Sequence, residues 1–417
     1  MLQKVKGFRD IFGEDINYWH KVEKIIQDFF KSYGFKEFRL PILEKTAVYK
    51  RGIGETTDIV EKEMFTFTDS DELVSLRPEG TASLMRAYIE NNLNNPPCIK
   101  KYYYLGNMFR RERPQKGRFR QFSQIGVEVL ESDAPLLDAE IISLLYNTAY
   151  NLGLSDYVSM EINSIGCPSC RPKYKEDLVK YFSSYSHDLC DDCKRRLETN
   201  PLRILDCKVE KCKSIAKDAP VILSYLCDDC SSHFESVKEY LSMMNVPFKV
   251  NSKMVRGLDY YVKTAFELVT DRLGAASAVG AGGRYDGLVK SLGGKDTPGI
   301  GFAIGLDRVV ELLKEVNPVQ KKGADVYILA FDKEGLAHCL NIARDLRNSG
   351  FIVEYDYSLA SMKSQFKKAD KAGASYALVL GSNELAENKV AVKDLVTGSQ
   401  ELVAIDEVIN YIKNKLI

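Results

Sequence analysis

Between Tyr102 and Glu131 the chain carries two strand-length runs joined by a short basic loop, and this pairing constrains the fold more than any other segment. The returning run, Phe122-Ser-Gln124-Ile-Gly126-Val-Glu128-Val-Leu130, alternates with period two, so Phe122, Gln124, Gly126, Glu128 and Leu130 share one face of a strand. An aromatic, an amide and a carboxylate around a glycine suit a small polar ligand lying across a sheet. Glycine admits close approach, and its neighbours supply stacking and hydrogen bonds. The outgoing strand is expected over residues 99–112. Pro114-Gln-Lys-Gly-Arg118 turns the chain back, giving an antiparallel hairpin with a loop longer than a tight turn requires.

Arg110, Arg111, Arg113, Lys116, Arg118 and Arg120 crowd this loop, with Glu112 the only acid among them. The chain as a whole is neutral, 58 Lys and Arg against 58 Asp and Glu, which excludes a general histone-like binder of nucleic acid and leaves room for restricted basic patches. Arginine's planar fork binds phosphate or carboxylate through two parallel hydrogen bonds, so Arg110 and Arg113 are candidate ligands for a nucleoside triphosphate. A solvated basic face would be the ordinary reading of an isolated pair. Arg110 and Glu112, expected on one strand face, and Phe122 on the paired strand argue for a site instead.

At 417 residues the chain should hold two or three domains. With 45% hydrophobic and 28% charged residues, it lacks any apolar run approaching the ~18 residues of a membrane span. Met1 to Asp10 has no apolar core or small-residue cleavage site of a signal peptide, so a cytoplasmic location is expected. Val22, Ile25, Ile26, Phe29 and Phe30 predict a helix over 16–33 ending at Gly34. A second helix should start near Thr81 and stop before Asn94-Asn-Pro-Pro97, and a third should span 137–151, with a strand over 157–165. Strand character returns over 258–269. A linker-like segment, Asn317 to Gly323, precedes strands at 326–331, 351–355 and 377–380 that alternate with helices near 334–348, 360–372 and 405–416. The expected organisation is thus residues 1–323 and a separate α/β domain over 324–417. Lys363, Lys367, Lys368 and Lys371 recur at helical spacing and could face phosphates, with a solvated helix face as the plainer reading.

The glycine-rich tract from Gly280 to Arg308 contains neither G-x-G-x-x-G nor G-x-x-x-x-G-K-[ST], so any nucleotide must be held by side chains. Gly299, Gly301 and Gly305 would leave a flat strand surface for a base, with Arg308 placed to stack on it, or would simply permit close helix–strand packing.

Residues 167–240 hold eight of the ten cysteines: Cys167 and Cys170, Cys190 and Cys193, Cys207 and Cys212, Cys227 and Cys230. The segment's periodicity is helical, and it reads as an insertion. Pairs separated by two intervening residues have the spacing of zinc knuckles, and two pairs make one four-cysteine site, so up to two structural zinc ions fit; reduced, metal-free thiols are the alternative.

Phe109-Arg110-x-Glu112-Arg113 with Phe122 after the loop resembles the second signature of class II aminoacyl-tRNA synthetases, and Gly305-Leu-Asp-Arg308 resembles the third. The region including Pro41 corresponds to the first, dimer-forming one. Within that class, Leu76-Arg-Pro-Glu79-Gly80-Thr81 and Arg256-Gly-Leu-Asp-Tyr260-Tyr261 resemble the histidyl-tRNA synthetase family, nearly end to end. The resemblance implies an α+β fold: a class II synthetase-type antiparallel sheet flanked by helices, with the mainly helical cysteine-rich insertion, plus a C-terminal α/β anticodon-binding domain. It implies ATP-dependent ligation of L-histidine to tRNA(His) by a homodimer using Mg2+. Arg110 would hold the α-phosphate and the substrate carboxylate. Glu112 and Arg113 would fix the adenine and outer phosphates, and Phe122 and Arg308 would sandwich the adenine. Glu79, Thr81 and Gln124, with Gly80 between the first two, would receive the histidine ammonium. Glu128 and Tyr261 would meet the imidazole, and Tyr260 would line the same pocket. Arg256 would stabilise charge at the α-phosphate, where other class II enzymes rely on a metal ion. Lys116 and Arg118 would reach tRNA. Relatives carry out this chemistry without zinc. A second class, a synthetase-like regulatory subunit of histidine biosynthesis, conflicts with the retained Arg110, Arg256, Arg308 and C-terminal domain.

Overall fold

Apolar spacing along the first forty residues becomes helix α1 (Asp15–Ser32), which buries Trp19, Val22, Ile26 and Phe30. It is released at Gly34, whose φ of +81° a side chain would resist. The computed structural model describes residues 2–55, 57–115, 117–274, 278–318 and 323–416. The chain divides into two units, Met1–Pro318 and Val319–Ile417.

In the first unit β1 (Lys36–Glu37) is followed by β2 (Leu43–Lys45), α2 (Thr46–Ile53), β3 (Phe65–Asp69) and β4 (Glu72–Leu76). Strands β2, β4 and β3 form a small antiparallel sheet of their own, which the sequence reading missed. Then come α3 (Thr81–Glu90), β5 (Lys100–Phe109), β6 (Gln121–Leu130), α4 (Pro135–Asn151) and β7 (Ser159–Ser164). The cysteine-rich segment is helical as expected: α5 (Arg171–Ser183), α6 (Asp191–Thr199), α7 (Glu210–Ala216) and α8 (Asp228–Met243). After it the chain returns through β8 (Lys249–Val250), β9 (Val262–Val269), β10 (Ala278–Arg284), α9 (Leu288–Ser291), β11 (Gly299–Gly305) and α10 (Leu306–Val316).

Among the described residues the main sheet has eight strands in the order β1-β5-β6-β11-β10-β9-β7-β8. Only its outermost pairs, β1 with β5 and β7 with β8, run parallel. The central hairpin forms in the register Tyr102↔Glu128, Tyr104↔Gly126 and Met108↔Phe122. Its two faces do different work. Ile125, Val127 and Val129 point into a core shared with α1, α4 and α10. Leu130 and Phe122 face the opposite side with Tyr104, Tyr261 and Tyr285. A one-residue slip would exchange the faces, so burial of these β-branched residues, each contributing about 1.5–3 kcal/mol, pins the register.

The outgoing strand ends at Phe109, short of the expected Glu112. Arg110 still donates its N–H to the Arg120 carbonyl, but Arg111 gives its N–H to the Glu63 carbonyl and leaves the ladder. Arg110 and Glu112 are therefore neighbours in irregular backbone rather than on one strand face.

The second unit contains β12 (Val326–Ala330), α11 (Lys333–Asn348), β13 (Val353–Tyr355), α12 (Met362–Lys371), β14 (Tyr376–Leu380), α13 (Ser382–Ala386), β15 (Lys389–Asp394), β16 (Gln400–Ala404) and α14 (Val408–Leu416). The sheet order is β13-β12-β14-β15-β16, its first pairs parallel and its last antiparallel. The β15–β16 hairpin was not anticipated. Its turn is held by the Asp394 carboxylate, which accepts the N–H groups of Val396 and Thr397 at 2.8 and 2.9 Å. Of the four lysines on α12, Lys368 is engaged with Asp356 at 2.7 Å, while Lys363, Lys367 and Lys371 are exposed. No helix of the described residues is long and apolar enough to cross a membrane.

Candidate active site

A cavity of about 320 Å³ lies over the second face of the main sheet, floored by β6, β10 and β11 and lined by Glu79, Thr81, Arg110, Glu112, Arg118, Phe122, Gln124, Glu128, Arg256, Tyr260, Tyr261 and Arg308. Residues up to 229 positions apart in the chain, Glu79 and Arg308, thus meet in one place. Gly80 is buried behind the lining.

The carboxylates sit deepest. Glu79 caps helix α3, accepting the N–H groups of Thr81 at 2.7 Å and Ala82 at 2.9 Å. Burial nevertheless raises its pKa above the ordinary glutamate value. Glu128 is fully enclosed: the Thr81 hydroxyl donates to one oxygen at 2.6 Å and the Tyr285 hydroxyl to the other. Desolvation pushes its carboxyl up to about 8, against those two hydrogen bonds, with the Glu79 charge adding to the rise. The Tyr260 and Tyr261 rings pack 4.6 Å apart beside it, and Tyr260 meets Tyr285 edge-on.

Arginines form the opposite wall. Arg110 donates Nε to the Pro78 carbonyl at 2.9 Å, and its guanidinium lies 5.4 Å from the Phe122 ring centre. Glu112 stands between Arg110 and Arg118, at 3.8 and 3.6 Å. Arg256 pairs with Glu267 and lies 5.2 Å from the Tyr261 ring centre. Arg308, in the first turn of α10, is held by the Ala278 and Gly117 carbonyls. Asp307 fixes that turn on β6 by accepting the Ser123 N–H at 2.7 Å and Arg9 at 2.8 Å. Burial, and then the positive charge of Arg118, depresses the pKa of Arg308. On this wall four arginines, Arg110, Arg118, Arg256 and Arg308, face two carboxylates, Glu112 and Glu267, a local excess of positive charge that suits an anionic ligand. Buried Arg118 Nε, Arg256 Nε and Gln124 Oε1 have no hydrogen-bond partner within the protein, and each lies on a residue that lines the cavity.

Some expectations are redistributed. Arg113 is exposed and does not line the cavity, and Lys116 lies outside the described residues. The space above Gly126 is filled by protein: a Cβ there would stand 2.5 Å from Tyr104, and one at Gly80 would stand 2.3 Å from the same ring. Of the three glycines expected to offer a flat surface, Gly299 is covered by Tyr285 and Gly301 by the Glu128 carboxylate, leaving Gly305 open beside Arg308. Sequence reasoning missed Tyr104, Tyr285, Glu267, Arg203 and Asp206, which also line the cavity. Tyr285 alone carried a signal, as the aromatic ending the glycine run. The cysteines gather into two sets, Cys167, Cys170, Cys227 and Cys230, and Cys190, Cys193, Cys207 and Cys212, each with its four sulfurs within 4.8 Å of one another.

A family model described as Histidyl-tRNA synthetase matches residues 7–168 and 194–309, and one described as Anticodon binding domain matches residues 325–415. A histidine–tRNA ligase of Geobacter metallireducens is 47% identical over 407 residues, covering 97% of this chain and 98% of the relative. One from Halothermothrix orenii is 48% identical over 398 residues, 95% of each. The apo histidyl-tRNA synthetase of S. aureus superposes with a TM-score of 0.83 at 34% identity, over 99% of this chain and all of the other. With the family model matching most of its first unit and relatives matching nearly its whole length, the chain belongs to the histidyl-tRNA synthetase family.

Proposed function

We infer that the chain ligates L-histidine to tRNA(His) at the expense of ATP, with the cavity over the main sheet as its active site. In the first step a histidine carboxylate oxygen attacks the α-phosphorus of ATP, and the bond to pyrophosphate breaks. In the second, a hydroxyl of the tRNA 3′-terminal ribose attacks the carbonyl of the adenylate and AMP leaves. Both steps depend on positioning and charge stabilisation and need no protein nucleophile.

One observation carries the assignment. Unpartnered Gln124 Oε1, Arg118 Nε and Arg256 Nε belong to residues lining one cavity that also has two buried glutamates on its wall, a complement to an ammonium, an imidazole and a polyphosphate together. Glu79 and Gln124 receive the ammonium. Thr81, whose hydroxyl is committed to Glu128, orients that carboxylate toward the imidazole, which Tyr261 meets from the other side while Tyr260 lines the pocket. Arg110 bridges the substrate carboxylate and the α-phosphate. Phe122 and Arg308 hold the adenine between them, and Glu112 attends the adenine and outer phosphates. Arg256, oriented by Glu267, neutralises charge that develops at phosphorus. Magnesium enters on the ATP phosphates. Glu112 and Glu267, which line the same cavity and are paired with Arg110 and Arg256, are the carboxylates that would attend it, and the ion would supply charge neutralisation to the phosphates. Lys116, Arg118 and the C-terminal unit contact tRNA, the enzyme works as a homodimer, and each cysteine set suits a structural zinc ion.

Histidine-dependent exchange of pyrophosphate into ATP tests this reading. Exchange that requires histidine is expected, and its absence in the purified protein overturns the assignment. The regulatory-subunit reading is not favoured: the relatives matched over nearly the whole chain are ligases.

A further inference from the structure

The two cysteine sets straddle the break in the family match: Cys170, Cys190 and Cys193 fall between the matched stretches 7–168 and 194–309, and the other five cysteines lie inside them. Each is built for a single tetrahedral ion. A zinc–sulfur bond of about 2.3 Å requires sulfurs about 3.8 Å apart. Cys167 Sγ stands 3.6 Å from Cys170 Sγ and 3.9 Å from Cys227 Sγ, and Cys190 Sγ stands 3.8 Å from Cys207 Sγ. A multi-iron cluster, with sulfide-bridged metal between its thiolates, needs a wider cage. Backbone N–H groups of Cys227 and Cys190 point at Cys170 Sγ and Cys212 Sγ, both at 3.2 Å, the outer hydrogen bonding that orients a metal-bound sulfur. Cys170, Cys190 and Cys227 each occupy the N-terminal cap of a helix.

Both sets are wired to the cavity. Arg171, next to Cys170, donates to the Tyr261 and Ile165 carbonyls and so fixes the backbone that presents Tyr261. The second set brackets residues 194–206. From that stretch Arg196 reaches Asp58 at 3.0 Å, Asn200 reaches Asp259 at 3.3 Å beside Tyr260, and Arg203 and Asp206 line the cavity itself.

We propose that each set binds one zinc ion in a closed four-thiolate site, and that the two ions clamp the insertion against the Arg256–Tyr261 string, setting the affinity for histidine. The proposal rests on the reading that this cavity binds histidine. Elemental analysis of the full chain, purified without added metal, is expected to find two zinc ions per chain, released together by a mercurial reagent. Substoichiometric metal, or iron in place of zinc, overturns the sites. The double substitution Cys207→Ser with Cys212→Ser should leave one zinc and weaken histidine binding, measured calorimetrically, about ten-fold while moving ATP affinity less than about two-fold. Asp58→Asn, which touches no thiol, should keep both ions and weaken histidine binding in the same direction, whether or not the double variant folds. Unchanged histidine affinity in Asp58→Asn, or in a folded double variant, overturns the clamp. A wild-type chain that holds two zinc ions but binds no histidine overturns the reading of the cavity and leaves the metal sites standing.

Discussion

Thr81 Oγ1 donates to Glu128 Oε1 at 2.6 Å, joining the start of helix α3 to the middle of strand β6 across 47 residues of sequence. With Tyr285 on the other oxygen, the carboxylate is held at both ends before any ligand arrives. Replacing it with an amide keeps the shape and removes a carboxyl that can give up its proton and accept a ligand N–H. Glu128→Gln should therefore lower histidine affinity by about 1.5–3 kcal/mol while ATP affinity stays nearly constant. Calorimetric titration with each ligand separates the two, and equal losses would place Glu128 elsewhere.

Because burial raises the Glu128 carboxyl to about 8, well above an unfolded glutamate, the folded chain holds the extra proton between roughly pH 4.5 and 8. The stability this supplies is fully present below the unfolded value and is lost as pH rises through the folded one. Urea unfolding of the ligand-free chain should show wild type losing on the order of 3 kcal/mol more than Glu128→Gln between pH 5 and 8. Parallel pH profiles would contradict the assignment of that proton.

Arg256→Ala should slow pyrophosphate exchange more than ~100-fold with the circular dichroism spectrum unchanged, since a fixed donor to developing charge is lost. Glu267→Gln should give a smaller loss, because the guanidinium remains but its orientation relaxes. Exchange at the wild-type rate in Arg256→Ala would remove the arginine from the mechanism.

Gly301→Ala places a methyl 2.0 Å from Glu128 Oε2 and 2.3 Å from the Val127 carbonyl. The backbone contact cannot yield by a rotamer change. A loss of about 1–3 kcal/mol in thermal or urea unfolding is expected, with weaker histidine binding beyond it.

Asp138 and Arg284 are both fully buried, and the carboxylate also receives His233 at 2.8 Å and the Thr264 hydroxyl. Asp138→Ala leaves the buried guanidinium with only Asp286 at 2.9 Å and the Ser132 carbonyl at 3.1 Å, and should cost about 3–5 kcal/mol by chemical denaturation. A cost below 1 kcal/mol would show that water reaches Arg284.

The hairpin was legible because period two and a basic turn are local signals, and the same alternation sorted Ile125, Val127 and Val129 from Gln124 and Glu128. Helix α1 was legible for the corresponding reason at period 3.6. Tyr104 was not, since what fills the space above Gly126 depends on register between strands rather than on either strand alone. Two of the three proposed open glycines were misread for the same reason: a missing Cβ marks closeness without naming the neighbour. Cysteine spacing announced four pairs, but which pairs share a site is a property of the folded insertion. The β15–β16 hairpin went unseen because its strands are short and half-exposed, with a turn shaped by a single aspartate.

One ring, Tyr104, occupies the room that side chains at positions 80 and 126 would need. The three positions therefore form a single lock: neither glycine can vary while the tyrosine stays, and shrinking the tyrosine clears the three nearest contacts at position 80 while leaving position 126 the Phe302 carbonyl at 3.0 Å. An attempt to broaden the amino acid this pocket accepts should begin at position 104, where one substitution opens a compartment directly behind Glu128, rather than at the glycines, where every substitution collides first.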